Sequence, residues 1–300
     1  MRCAIVAALR LASLNAMTFS PRALLLGAAA CAVAFAVLVQ FAYGSGQVRY
    51  VDGTAVQSFI GALGSSGTTW ATRFVEIGDP LPVAILAGCL ATAALARGRP
   101  RLVIFVLLLI GATSVGSQVL KQLLAFPRDG AAALIGDAAY PSGHTTAAMA
   151  LAIGLIIVTP RRARPVAAVV GLALVLGMSY SLIAAGSHFP SDVLGAYLFA
   201  TGTALCLLAA LQAYESRFVA GAGREVVRDG ASRVLATPAA VLPLVAVVVV
   251  TATVAIAAFG PGPVLAFTQA NTIAVFVAGS LAVAATMLIA GAVLTVGRQA

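Results

Sequence analysis

Apolar residues in this chain do not alternate with polar ones. They come in long unbroken runs, such as 102–112 and 241–258, separated by shorter stretches rich in Arg, Gly, Pro and Ser. A helix needs about 20 consecutive apolar residues to cross the hydrocarbon core of a bilayer. Windows close to that length fall at 23–43, 80–97, 102–124, 143–159, 166–186, 192–213, 240–260 and 271–296. Their recurrence excludes a single anchor, and their continuity excludes an outer-membrane barrel, whose strands alternate with period two. The pattern predicts an all-α fold, a polytopic membrane helical bundle of about eight transmembrane helices.

Two connections are long enough to form something of their own. In the segment 44–79, Val51, Val56, Phe59, Ile60 and Leu63 fall at mixed helical spacing. This predicts an amphipathic helix lying on the interface, placed to roof a site on that side. The segment 214–239 carries Arg217, Arg224, Arg228 and Arg233, which suits either a rest against anionic headgroups or a solvated linker. The chain thus divides into a membrane core over 1–213 with its outer loop 44–79, a basic cytoplasmic linker over 214–239, and two additional transmembrane helices within 240–300.

Composition agrees: 61% hydrophobic and 9% charged residues are not the make-up of a soluble domain. A net charge of +9 would point a soluble protein toward nucleic acid, but here it sorts by membrane side and implies no nucleic-acid partner. With the N-terminus inside, the Arg-rich connections around 97–101, 161–164 and 217–233 all fall on the cytoplasmic side, while Asp52, Glu76, Asp79, Asp129, Asp137 and Asp192 fall outside. The positive-inside rule therefore places both termini in the cytoplasm. Arg10 interrupts the first apolar stretch, so residues 1–20 read as a cytoplasmic lead-in and not as a secretory signal. The 4 cysteines lie singly, without C-x-x-C spacing, and indicate neither a zinc site nor a disulfide framework. Ala-rich, Arg-over-Lys usage suggests a GC-rich bacterial genome, hence an integral protein of a bacterial inner membrane.

Ionisable residues at membrane edges are costly and by default mark function. Lys121, the lone lysine, sits near the outer end of the third window, and Arg128 follows in the next connection. Pro141-Ser142-Gly143-His144 opens the fourth window; His188 and Asp192 flank the turn between the fifth and sixth. Between His144 and His188 the chain crosses inward and back, which returns both of its 2 histidines to one face. Taken singly, these residues read as a capped helix, a snorkelling lysine and helix-start electrostatics. Together they suit a phosphate. Ser142 near a helix cap and Gly143, which lets backbone approach closely, aim free amides at an anion, and Lys121 and Arg128 add positive charge. His188 with Asp192 suits a nucleophile and the carboxylate that holds its second nitrogen. His144 is then the general acid.

The same residues resemble the type 2 phosphatidic acid phosphatase superfamily, the integral-membrane lipid phosphate phosphatases, whose pattern is K-x6-R-P, P-S-G-H and S-R-x5-H-x3-D. Here the motifs read Lys121-x6-Arg128-Asp129, Pro141-Ser142-Gly143-His144 and Ser181-Leu182-x5-His188-x3-Asp192. The motif-bearing likeness covers 80–213, and the family's six-helix phosphatase core corresponds to the first six windows. The resemblance implies that His188 forms a phosphohistidine, that Asp192 is its partner, and that His144 protonates the leaving group and activates water. It implies phosphate binding by Lys121, Arg128, Ser142 and Gly143, a lipid phosphate substrate among membrane lipids, and no metal or organic cofactor.

Two positions depart from the family pattern. Asp129 stands in place of proline and puts a negative charge beside Arg128. Leu182 stands in place of arginine and cannot donate to a phosphate oxygen. Losing one transition-state donor costs about 10²–10³ in rate, so a slow enzyme is one expectation. Arg49 and Arg73 lie on the same side of the membrane. The expected function is hydrolysis of a membrane lipid phosphate or polyprenyl (di)phosphate at the outer face. Two alternatives stay open: a catalytically weak member that binds or flips a lipid phosphate, and a phosphotransferase with an alcohol acceptor.

Overall fold

The computed structural model describes residues 19–126, 135–218 and 261–295. They form α1 (Pro21–Gly44), α2 (Gly46–Val75), α3 (Pro80–Ala96), α4 (Pro100–Leu123), α5 (Gly143–Val158), α6 (Arg164–Ala184), α7 (Pro190–Phe218), α8 (Pro261–Ala270) and α9 (Thr272–Thr295). No strand occurs among the described residues. Starts are written in the sequence. Proline lies in the first two positions of α1, α3, α4 and α6 and opens α7, where a missing N–H costs nothing. Ser20 and Ser45 cap α1 and α2 by accepting from the amides of Ala23 and Val48 at 3.2 and 3.4 Å.

Among the described residues α1, α4, α6, α7 and α9 are long and apolar enough to cross a bilayer. The 17-residue α3 joins them only together with the end of α2, from which it is bent by 52°. The 16-residue α5 is shorter. It runs through the middle of the bundle against α3, α4, α6, α7 and α9, with Met149, Ile153, Ile156 and Ile157 fully buried. A helix apolar all round is one that meets protein on every side. On the outside of the bundle Leu107, Leu108, Val169 and Val170 are exposed, as lipid-facing positions should be. The window at 240–260 and the basic linker from 219 onward lie outside the described residues.

The connection 44–79, where the apolar spacing predicts an amphipathic helix, forms α2, a single helix of 30 residues. Its second half, with Gly61, Gly64 and Gly67, is poor in helix formers, so propensity gives no local reason for its length. Phe59 stacks on Tyr180 of α6 at 6.0 Å, and Phe74 lies over Gly177 of the same helix. The C-terminal α9 is fastened to the same bundle. It packs on α6, α7 and α2, and its Ala278 carbonyl accepts from the Tyr180 hydroxyl at 2.8 Å.

Candidate active site

Three helix ends meet at one end of the bundle. At the start of α5, Pro141 is followed by Ser142, the N-cap, whose extended backbone (φ −62°, ψ 117°) turns the chain into the helix. Its hydroxyl accepts from the Thr145 amide at 3.4 Å, and its carbonyl accepts from the Thr145 neighbour Thr146 through Oγ1 at 2.7 Å. The first amides of a helix have no intrahelical acceptor, and the helix dipole makes that end positive. Gly143 is the first residue past the cap. A Cβ placed on it would stand 3.8 Å from Lys121 Nζ, 3.7 Å from Gln118 Nε2 and 3.8 Å from Ser117 Oγ. The last turns of α4 thus hang an ammonium and two neutral polar groups over the start of α5.

The second helix end is the start of α7. Gly186, with φ +67°, turns the chain out of α6 in the left-handed region that glycine adopts at no steric cost. His188 follows and is 6% exposed, while Asp192, in the first turn of α7, is fully buried. His188 Nδ1 lies 3.4 Å from Asp192 Oδ2, and the same oxygen accepts the Phe189 amide at 3.0 Å. An ionised carboxylate only accepts, so the imidazole presents Nδ1–H to it and keeps Nε2 free of that bond. The Ser142 amide donates to the Asp192 carbonyl at 3.2 Å, which ties the two helix starts together. The Asp192 carboxylate also lies within Coulomb range of the Lys121 ammonium.

Beneath this junction Tyr140 is fully buried, its ring 5.3 Å from Phe35 and 6.1 Å from Tyr43. Its hydroxyl end rests where a side chain on Gly195 would be, 2.4 Å from that missing Cβ. Absence of a side chain on α7 is what lets the turn before Pro141 sit so close to the helix that carries Asp192.

α2 and the turn after it supply two carboxylates that the motif pattern does not contain. Asp52, 4% exposed, accepts from the Ser191 amide at 3.2 Å and from its hydroxyl at 2.6 Å. It holds the first turn of α7 from α2, an element that carries none of the motif residues. Asp79 Oδ1 lies 3.2 Å from His144 Nε2. In the sequence both read only as outer-side charge. Asp52 had no motif around it, and Asp79 ahead of Pro80 reads as an ordinary helix cap. Replacing Asp52 by alanine is expected to lower stability by about 1–3 kcal/mol, because it strands a buried amide and hydroxyl. Thermal unfolding in detergent checks this, and an unchanged Tm would show that the bond contributes nothing net.

Lys121, Ser142, Gly143, His188 and Asp192 are thus brought together, and His144 follows Gly143 in the first turn of α5 with its ring against Asp79 and Gly78. Arg128 and Asp129 lie outside the described residues. Leu182, at the motif position where the family pattern has arginine, is 1% exposed and part of the apolar core. Arg49 is turned away to the Tyr43 carbonyl at the end of α1. Among the described residues no group of three or more His, Cys, Asp or Glu side chains is arranged to hold a metal ion.

The sequence profile of the PAP2 superfamily matches residues 12–217. No curated protein sequence matches the chain. Among solved structures, a Bacillus subtilis protein described as the first transmembrane PAP2 type phosphatidylglycerolphosphate phosphatase superposes with a TM-score of 0.50 at 15% identity, covering 65% of this chain and 98% of that one. The likeness is one of fold, and α8 and α9 lie beyond the residues that the family profile matches.

Proposed function

The chain belongs to the PAP2 superfamily, and from that premise we propose that it is a membrane lipid phosphatase that removes phosphate from a lipid phosphate or polyprenyl (di)phosphate through a phosphohistidine. The observation that carries this reading is the junction of two helix starts, where the His188–Asp192 pair stands beside the Ser142–Gly143 turn. His188 attacks phosphorus through Nε2, since Nδ1 is engaged by Asp192, whose carboxylate also stabilises the cation that develops. The α5 amides, Lys121 and Arg128 hold the phosphoryl oxygens, where negative charge gathers in the transition state. His144 protonates the departing oxygen and then activates the water that releases phosphate. The lipid tail stays in the bilayer beside the bundle, and the site faces outward from a bacterial inner membrane with both chain termini in the cytoplasm.

The test is phosphate release by purified protein in detergent, across a panel of lipid phosphates and diphosphates, with excess chelator. Turnover unaffected by chelator is the expected result, because every role above is filled by a side chain or an amide. Turnover abolished by chelator and restored by a divalent cation would sink this mechanism. Adding an alcohol and analysing products separates hydrolysis from phosphotransfer. Leu182 favours a second reading: with an apolar side chain at that motif position, the protein binds or flips lipid phosphates with little turnover. Saturable lipid binding without phosphate release, unaltered in His188→Ala, would select it.

A further inference from the structure

The carboxylate that meets His144 comes from a position where a helix cap is expected. Asp79 is the N-cap residue of α3, with extended backbone (φ −66°, ψ 156°) and Pro80 next, yet its side chain makes no capping bond. An aspartate there ordinarily accepts from an amide of the first turn, which contributes about 1 kcal/mol. Here Oδ1 is turned to His144 Nε2 at 3.2 Å instead. The preceding residue, Gly78, lies against the same imidazole. A Cβ on it would come within 2.6 Å of His144 Cδ2 and 3.0 Å of His144 Cβ. One short turn therefore meets the ring at two adjoining atoms, Nε2 and Cδ2, and it does so with a residue whose usual use has been given up.

We propose that Asp79 is the positioning residue of His144, forming a second His–Asp dyad that works through the opposite ring nitrogen from the first. The proposal rests on the assignment of His144 as acid and water activator. In the His188–Asp192 dyad Nδ1 is engaged and Nε2 is left for phosphorus. In the His144–Asp79 dyad Nε2 is engaged and Nδ1 is left for the proton. As the Nε2–P bond to His188 forms, the P–O bond to the lipid breaks and the leaving oxygen takes the Nδ1 proton of His144. Water then bonds to phosphorus, passes a proton to Nδ1 of His144, and the Nε2–P bond breaks. The products are the lipid alcohol and inorganic phosphate, and both imidazoles return to their starting state. The side chains of His144 and Asp79 are 31% and 52% exposed, so water screens their attraction. What the carboxylate supplies is a fixed ring and a fixed tautomer more than binding energy.

Asp79→Asn tests this in two independent ways. With 2 histidines in the chain, ¹⁵N-labelled protein gives two sets of imidazole signals, and His188→Ala identifies which belong to His144. At a pH where the ring is neutral, the natural protein is expected to show the Nε2-protonated form of His144, and Asp79→Asn a mixture of tautomers. His144 signals identical in the two proteins would overturn the proposal. The second reading is kcat/KM, which covers the steps up to phosphohistidine formation. For a lipid phosphate, whose alkoxide must be protonated as it leaves, a loss of about 10- to 100-fold is expected. For p-nitrophenyl phosphate, whose phenolate leaves without a proton, the expected loss is under about threefold. Equal losses on both substrates would mark Asp79 as merely structural. Gly78→Ala, which displaces the ring while leaving the carboxylate, is expected to show the same split. If the natural protein turned over neither substrate, the phosphatase reading would fall, while the imidazole signals would still decide the role of Asp79.

Discussion

His188→Ala is expected to lower phosphate release from the best lipid substrate by about 10⁴- to 10⁶-fold while leaving the affinity for that lipid nearly intact. The asymmetry follows from where His188 sits. It is almost fully buried, held by a carboxylate that is itself fully buried and fixed by the Phe189 amide. The other groups proposed to hold phosphate come from other elements: Lys121 on α4, and Ser142 and Gly143 at the start of α5. Truncating the imidazole removes the atom that bonds to phosphorus and leaves the groups that bind it in place. Isotopic phosphate trapped on the natural protein in acid-labile, base-stable form, and missing from the variant, would identify the bond as a phosphoramidate. Full turnover by the variant would mean that the nucleophile lies elsewhere.

Leu182→Arg, which restores the family's residue at that motif position, is expected to destabilise the protein by about 3 kcal/mol or more, and to leave turnover no faster. In isolation the change looks like a repair, since one added donor to a phosphoryl transition state is worth about 10²–10³ in rate. That gain requires the guanidinium to reach the phosphate. Leu182 is 1% exposed and belongs to the apolar core of the bundle. A charge there has to be desolvated before it can donate to anything, and the volume it needs is already filled. Thermal unfolding in detergent and the rate of phosphate release, measured on the same preparation, decide between the two. An undiminished Tm with turnover raised 100-fold would show that the position faces the substrate after all.

Much of the framework is legible in the chain because bilayer helices announce themselves by length and hydropathy alone. The start of α5 is legible as well. Pro141, Ser142 and Gly143 spell a proline, a cap and a small residue in the order a helix start requires, and Ser142 does cap it. Asp192 after Pro190 likewise falls in a first turn. Other features resist a linear reading for physical reasons. α2 runs on through a glycine-rich half that carries no local helix signal. The window that becomes α9 is apolar on all sides, and such a pattern cannot say which face will dock. Asp52 and Asp79 act on residues far along the chain, and a lone carboxylate in a periodic segment looks the same whether it faces solvent or a histidine. Leu182 misleads in the other direction, because a motif is read as a row of ligands and does not show which of its positions has been absorbed into the core.

The bond from Asp52 to Ser191 joins residues 139 positions apart, and that from Asp79 to His144 joins residues 65 apart. During synthesis the N-terminal part of a chain emerges and begins to fold first. Asp52 and Asp79 are therefore made before the residues they hold in the finished fold, Ser191 and His144. Ser191 is the later of the two partners, so the bond from Asp52 cannot form until the start of α7 has been made. Assembly of the proposed phosphate site is accordingly a late event in biogenesis, since a chain stopped before Ser191 lacks the residue that Asp52 braces.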